Sequence, residues 1–514
     1  MLGIFDIFTK VEHTAPDQPV EFVPSSIDSD TAPGTEKPGI TLKHVIDKFC
    51  PTFHDSHLVK LHPLLLNGHF QTAYSQLVDN DSIPIYYKRY LIDYPDGGQG
   101  AVDYVDIEAT KKALATEEVN QKFDITDEKF SGKLEKNENG ELLQLPLPSK
   151  THFFGDAKTE FVDAVIKNSA KPLIVLLHGL SGGSQEAYIK LMVKNLINHN
   201  DSKFDIVVLN ARGCSNTIIK TPTLYNGIWT DDIRYLINEE ILKQNSQKEI
   251  YMAGFSLGGV ILTNFLAQES RLNSSILNKN IKLAVVVSTP WDMFGSSEFL
   301  KSSFIGREIY SPAMASSLKR LLNRNYEQLK HNKAIDADLL ADIYHVDNDN
   351  ANKKRSRASD KEVKYLAQFD YNFTSRMFGF NNHEEYYKFA SPINRISNIR
   401  LPMVFINAID DPIVGPKVPT IQVHQNPYLH MLTTKYGGHV CWFQKGGDQW
   451  YNKPVAQLFR GFHESVVEEG LVVKVDKKAL PTATLIDVDR IVMPKSYSDV
   501  LRKKRKLEKK ARKT

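Results

Sequence analysis

The chain has 514 residues, 41% hydrophobic and 24% charged, with a net charge of +3 at neutral pH. That balance fits a soluble globular protein with ample core, and it is too near neutral to suggest a nucleic-acid partner for the body of the molecule. Three scattered cysteines (Cys50, Cys214 and Cys441) form neither a disulfide framework nor a metal-ligand spacing, so a reducing compartment is expected. The opening MLGIFDIFTKVEH is too short an apolar run for a signal peptide, and no stretch of about 18 apolar residues suggests a spanning helix.

Residues 1–38 are rich in Pro, Ser, Thr, Asp and Glu with little periodicity, and read as a disordered N-terminal tail. Segments 84–94 and 100–107, separated by PDGGQ, read as a hairpin, and the charged stretch 108–160 as an insertion loop. Short β-branched apolar runs then recur at 171–177, 205–210, 248–253, 281–288, 401–407 and 429–435, the pattern of strands buried on both faces of a parallel sheet. Helical periodicity fills the intervals at 184–199, 229–245 and 258–270. Strand, helix and strand in series predict an α/β fold, a mostly parallel sheet flanked by helices. Residues 290–400 interrupt the rhythm with helical stretches and a polar patch at 347–362, where a helical lid insertion is expected, with a small accessory domain as the alternative. The main domain is drawn at 39–475, followed by a C-terminal extension, 476–514. Its basic run, LRKKRKLEKKARKT (501–514), reads as a solvated tail, a contact for anionic lipid headgroups, or a nuclear or nucleic-acid signal.

The stretch MAGFSLGGV (252–260) places Ser256 between a predicted strand and a predicted helix, flanked by glycines. A tight strand-to-helix turn needs small neighbours, lifts a seryl Oγ out of the sheet, and leaves the N–H of Leu257 where an oxyanion forms. A phosphate loop would need G-x-G-x-x-G or G-x-x-x-x-G-K-[ST], and neither pattern fits. Such a pentapeptide also arises by chance, so its meaning depends on partners. A serine needs a base, and the base an orienting acid, in the order Ser, Asp, His for this fold. FINAIDDPIVGP (405–416) presents Asp410 and Asp411 after a strand, and KYGGHVCWF (435–443) presents His439 in a glycine turn after the last one. Each alone reads as a turn residue; order and strand context together point to a triad. Asp411, which begins Asp-Pro-Ile-Val, is the favoured acid, leaving Asp410 as a cap or supporting group.

A second oxyanion donor is expected from LLHGLSGGS (176–184), through the amide of Leu180 or of Gly179, with His178 as a structural turn residue. Arg212 in LNARGCSN (209–216) is read as a pin between loops rather than a substrate contact. Cys214 has no orienting partner, pairs such as His54/His57 match no metal motif, and no cofactor or metal is expected.

LNGHFQTAYS (66–75), DYPDGGQGAVDYV (93–105), LLHGLSGGS, LNARGCSN, GFSLGG, YYKFASP (386–392), NAIDDPIV and GGHVCWF occur in that order. Together they resemble the AB hydrolase-4 group of the α/β-hydrolase superfamily over residues 60–465, and most of all its yeast medium-chain fatty acid ethyl ester synthase/esterases. The resemblance implies an α/β-hydrolase fold with Ser256, Asp411 and His439 as catalytic triad. It implies medium-chain acyl esters or acyl-CoA as substrates, and water or a short alcohol as acyl acceptor. A monoacylglycerol lipase or phospholipase is the alternative. An intact Ser, Asp and His set argues against a catalytically dead binding module. Gln444 stands where acyltransferases of another α/β-hydrolase group carry an acid, so acyl transfer to a lysolipid has no support from that signature. A cytoplasmic location is expected, peripheral on a lipid droplet or the outer mitochondrial membrane. No chemical role follows from sequence for Asn67 or His69.

Overall fold

The computed structural model describes residues 7–24, 39–115, 146–155, 157–272, 274–348 and 363–474. Its strands are β1 (Ile7–Thr14), β2 (Glu21–Pro24), β3 (Ile40–Thr41), β4 (Leu58–Leu61), β5 (Tyr87–Asp93), β6 (Gln99–Val105) and β7 (Thr151–Phe153). They continue as β8 (Leu173–Leu177), β9 (Asp205–Asn210), β10 (Ile250–Phe255), β11 (Ile281–Val287), β12 (Met403–Ala408), β13 (Leu429–Thr434) and β14 (Leu471–Lys474). Eleven of them form one sheet in the order β4-β1-β13-β12-β11-β10-β8-β9-β6-β5-β7. The stretch from β13 to β9 is parallel throughout, and β5 and β6 form the expected antiparallel hairpin. The central strands read as unbroken apolar runs because alternate residues enter two cores. Leu173, Val175 and Leu177 of β8 face one, and Ile174 and Leu176 face the other.

Helices cover both faces, including Ala187–His199, Leu257–Arg271 and Asn452–Phe462. The helix expected at 229–245 runs from Asp231 to Tyr235 and then widens into π-type turns through Leu242. Between β11 and β12 the described residues are helical, with the helices Met293–Ser302, Ser311–Arg324 and His383–Ala390.

The N-terminal tail requires correction. Residues 7–24 are not disordered: β1 lies inside the main sheet between β13 and β4, and β2 joins β3 and β14 in a small second sheet. Thr9 and Val11 point inward while Lys10 and Glu12 are exposed, a period-two alternation too short to stand out in a polar segment. The sheet therefore begins well before residue 39. Within 108–160, the helix Ile107–Ala115, strand β7 and the helix Ala157–Phe161 are ordered elements, and 116–145 lie outside the described residues. So do most of the 347–362 patch and the basic run 501–514. Among the described residues, no helix is long and apolar enough to cross a membrane.

Candidate active site

Ser256 occupies the single residue between β10 and the helix Leu257–Arg271. Its backbone sits at φ +52° and ψ −119°, a conformation that L-residues adopt only under constraint. The constraint is visible: its N–H donates to the Val287 carbonyl at 2.9 Å, tying the turn to β11. A Cβ on Gly254 would lie 2.7 Å from the Gly258 carbonyl oxygen. A Cβ on Gly258 would strike the Leu177 and His178 carbonyls, and one on Gly259 the Thr289 hydroxyl. Close approach thus fixes all three glycines. Phe255 is fully buried, its ring 5.4 Å from that of Tyr188.

The structure brings the three separated candidates together. His439 Nε2 lies 2.9 Å from Ser256 Oγ, and His439 Nδ1 lies 2.8 Å from Asp411 Oδ2. Asp411 is fully buried, and its other oxygen accepts the N–H groups of Ile413 (2.8 Å) and Val414 (2.9 Å). With Asp411 accepting from Nδ1–H, Nε2 is left as an acceptor for the seryl proton. Asp410 takes a different part. Its carboxylate accepts from Gly437 at 2.9 Å, Gly438 at 3.1 Å and Gly68 at 2.5 Å, and burial raises its pKa.

That last contact gives the Asn-Gly-His-Phe-Gln-Thr segment a role that sequence reasoning missed. Asn67 caps the helix Gly68–Ser75 by accepting from the amides of His69 and Phe70. Gly68 abuts Asp410 so closely that any Cβ would collide with it. Thr72 Oγ1 accepts the His439 amide at 3.0 Å, and Gln71 Oε1 accepts the Phe443 amide at 2.8 Å. His69 stacks on Tyr310 of the helical insertion, its Nδ1 3.1 Å from the phenol oxygen. The segment cradles the histidine loop and links it to the insertion.

The loop after β8 lies against the serine: a Cβ on Gly179 would sit 3.3 Å from Ser256 Cβ. Its amides are sorted by two tyrosines. Gly179 N–H donates to Tyr188 Oη at 2.8 Å and Ser181 N–H to Tyr225 Oη at 2.9 Å, leaving Leu180 between them. Leu180, Leu257 and Ser256 line one cavity. Of the two candidate amides, Gly179's is therefore engaged. His178 is structural: its Nε2 accepts from Ala211 N–H at 3.0 Å, so Nδ1 carries the proton and donates to the Gly179 carbonyl. Burial lowers its pKa to about 4, which keeps the ring neutral.

Arg212 donates to Asp232 and Asp96 along two edges of its guanidinium and lies against the rings of Tyr94 and Trp229, so its donors are committed to pinning loops. Cys214 is buried in apolar surroundings that push its thiol pKa up to about 12, the opposite of an activated nucleophile. Among the described residues, no cluster of His, Cys, Asp or Glu is arranged to hold a metal ion.

The cavity over Ser256 measures about 100 Å³. Its walls include Leu, Met and Phe side chains from the helical insertion, among them Leu300, Met314, Leu318 and Phe369.

A parallel sheet covered on both faces, with a strained seryl turn at the end of a central strand, is the architecture of an α/β hydrolase. A family profile described as "alpha/beta hydrolase fold" matches residues 172–425. A monoacylglycerol lipase of Saccharomyces cerevisiae is 35% identical over 92% of this chain and 95% of its own length. The medium-chain fatty acid ethyl ester synthase/esterase 2 of the same yeast is 31% identical over 82% of this chain and 89% of its own. Human phospholipase ABHD3 is 27% identical over 62% of this chain and 69% of its own. The chain belongs to the α/β-hydrolase family, and it is a hydrolase.

Proposed function

We propose that the chain is a serine carboxylic ester hydrolase acting on medium-chain acyl esters. The observation that carries this reading is the unbroken hydrogen-bonded chain from Asp411 through His439 to Ser256, opening on an apolar cavity. Ser256 Oγ attacks the acyl carbonyl while His439 Nε2 takes its proton. Asp411 holds the imidazole tautomer and stabilises the imidazolium. The amides of Leu257 and Leu180 donate to the tetrahedral oxyanion, and the alcohol leaves with the proton from His439. The acyl-enzyme then passes to water. Where acyl-CoA is the donor, a short alcohol takes the acyl group instead, a branch supported by the name of the 31% identical yeast relative. A fluorophosphonate probe is expected to form one adduct, mapping to the peptide that contains Ser256. No adduct, or an adduct elsewhere, overturns the mechanism.

A glycerolipid reading is supported by the yeast relative named a monoacylglycerol lipase, which matches nearly the whole chain. Turnover of ethyl octanoate, monooctanoylglycerol and a medium-chain phosphatidylcholine, compared side by side, separates the two. Contact with the surface of a lipid droplet or the outer mitochondrial membrane belongs to either reading. It is supported by exposed Leu64, Leu66 and Phe70, at and just before the helix that cradles the His439 loop.

The two tyrosines sort the loop amides, so they act through Leu180. Tyr188→Phe and Tyr225→Phe are each expected to lower kcat on p-nitrophenyl octanoate by about tenfold with little change in KM, because the interaction lost is made in the transition state. A loss confined to KM would remove them from this role.

A further inference from the structure

Among the apolar walls of the cavity stands one carboxylic acid, Asp370. It is buried, and among the described residues no Lys, Arg or His forms an ion pair with it. Among the described residues its two oxygens are met only by hydroxyls: Thr374 Oγ1 donates to Oδ1 at 2.6 Å, and Tyr387 Oη donates to Oδ2 at 2.5 Å. A carboxyl group offers about four acceptor positions, so these two contacts leave capacity unused. Burial raises its pKa to about 6. An acid without a counter-charge in an apolar wall destabilises the fold, and an amide oxygen would serve Thr374 equally well.

The same cavity also holds a donor that is unpartnered among the described residues. Asn226 lines the same cavity and is only 2% exposed. Its Oδ1 accepts from Ile228 N–H at 2.8 Å, while its Nδ2 has no hydrogen-bond partner among the described residues. The next residue, Gly227, donates its N–H to Tyr386 Oη at 3.0 Å, and Tyr386 adjoins the Tyr387 that binds Asp370. A spare acceptor and a spare donor thus both line the pocket that Ser256 opens onto. A hydroxyl, which donates and accepts at once, is the group that satisfies both.

We propose that Asp370 and Asn226 form a binding site for a hydroxyl of the substrate, so that the enzyme selects acyl esters carrying a free hydroxyl over plain alkyl esters. This rests on Ser256 being the nucleophile. The hydroxyl comes either from the alcohol, as in a glycerol monoester, or from the acyl chain, as in a hydroxy fatty acid.

The test compares kcat/KM on monooctanoylglycerol, ethyl octanoate and ethyl ω-hydroxyoctanoate for the unaltered chain and for Asp370→Asn and Asn226→Ala. The unaltered enzyme is expected to favour one hydroxylated ester over ethyl octanoate, and which one identifies the source. Each variant is expected to reduce that selectivity ratio by about tenfold or more, the value of one buried hydrogen bond to an acid. As a measurement independent of variant folding, a vicinal octanediol is expected to inhibit the unaltered enzyme about tenfold more tightly than octanol. No preference for a hydroxylated ester, an unchanged ratio in folded variants, or equal inhibition by diol and alcohol overturns the proposal. Failure of the underlying reading looks different: no ester is turned over and the fluorophosphonate leaves Ser256 unlabelled.

Discussion

Ser256→Ala is expected to lower kcat on p-nitrophenyl octanoate by about ten-thousand- to a million-fold, the range for loss of a seryl nucleophile. The substitution removes one oxygen atom and little else. Ser256 accepts no side-chain bond that holds the turn, whose anchors are its own amide on Val287 and the close contacts of Gly254, Gly258 and Gly259. The melting temperature should therefore stay within about 2 °C of the unaltered protein, since the strain is a backbone property that alanine inherits. Steady-state turnover with parallel calorimetry checks both halves. Retention of more than about a hundredth of the activity would show that another group does the chemistry, because cavity binding alone supplies far less.

Asp411→Asn is expected to cost about ten-thousand-fold in kcat with the fold intact. The reason lies in the two amides that Ile413 and Val414 aim at Asp411 Oδ1. They require an oxygen, so the asparagine must turn its NH2 toward His439 Nδ1. The imidazole then accepts at Nδ1 and carries its proton on Nε2, facing Ser256 with a donor where an acceptor is needed. An NMR measurement of the imidazole nitrogens is expected to show that exchange of tautomer. Asp410→Asn makes the contrast: it disturbs the amides of Gly68, Gly437 and Gly438 but leaves the tautomer alone. A larger loss from Asp410→Asn than from Asp411→Asn would reverse the assignment of the two acids.

What sequence revealed follows from how local each determinant is. The central strands were legible because burial on both faces writes an unbroken apolar run, as in Leu173–Leu177. Ser256, Asp411 and His439 were legible as turn residues after such strands, in an order the fold imposes. The support for His439 was not. Gln71 and Thr72 reach it from more than 360 positions away, and nothing in LNGHFQT states which distant loop it will hold. Arg212 was readable as a pin, yet its partner Asp96 sits 116 positions earlier in a hairpin turn. Strand β1 was lost for a third reason: its fully buried side chains are Thr9 and Val11, and the surrounding polar composition masks them.

That strand also sets the order in which the molecule can be completed. Thr9 Oγ1 accepts the Tyr436 amide across 427 positions of chain, at the end of the strand that leads into the His439 loop. At ribosomal speeds of about 5–20 residues per second, β1 waits roughly 20 to 90 seconds for its neighbour β13. Until then one edge of the growing sheet is bare and can pair with another nascent chain. The sheet is thus closed across a span of 427 residues, like a belt buckled last, and a nascent chain that stops short of Tyr436 lacks this tie at the entrance of the His439 loop.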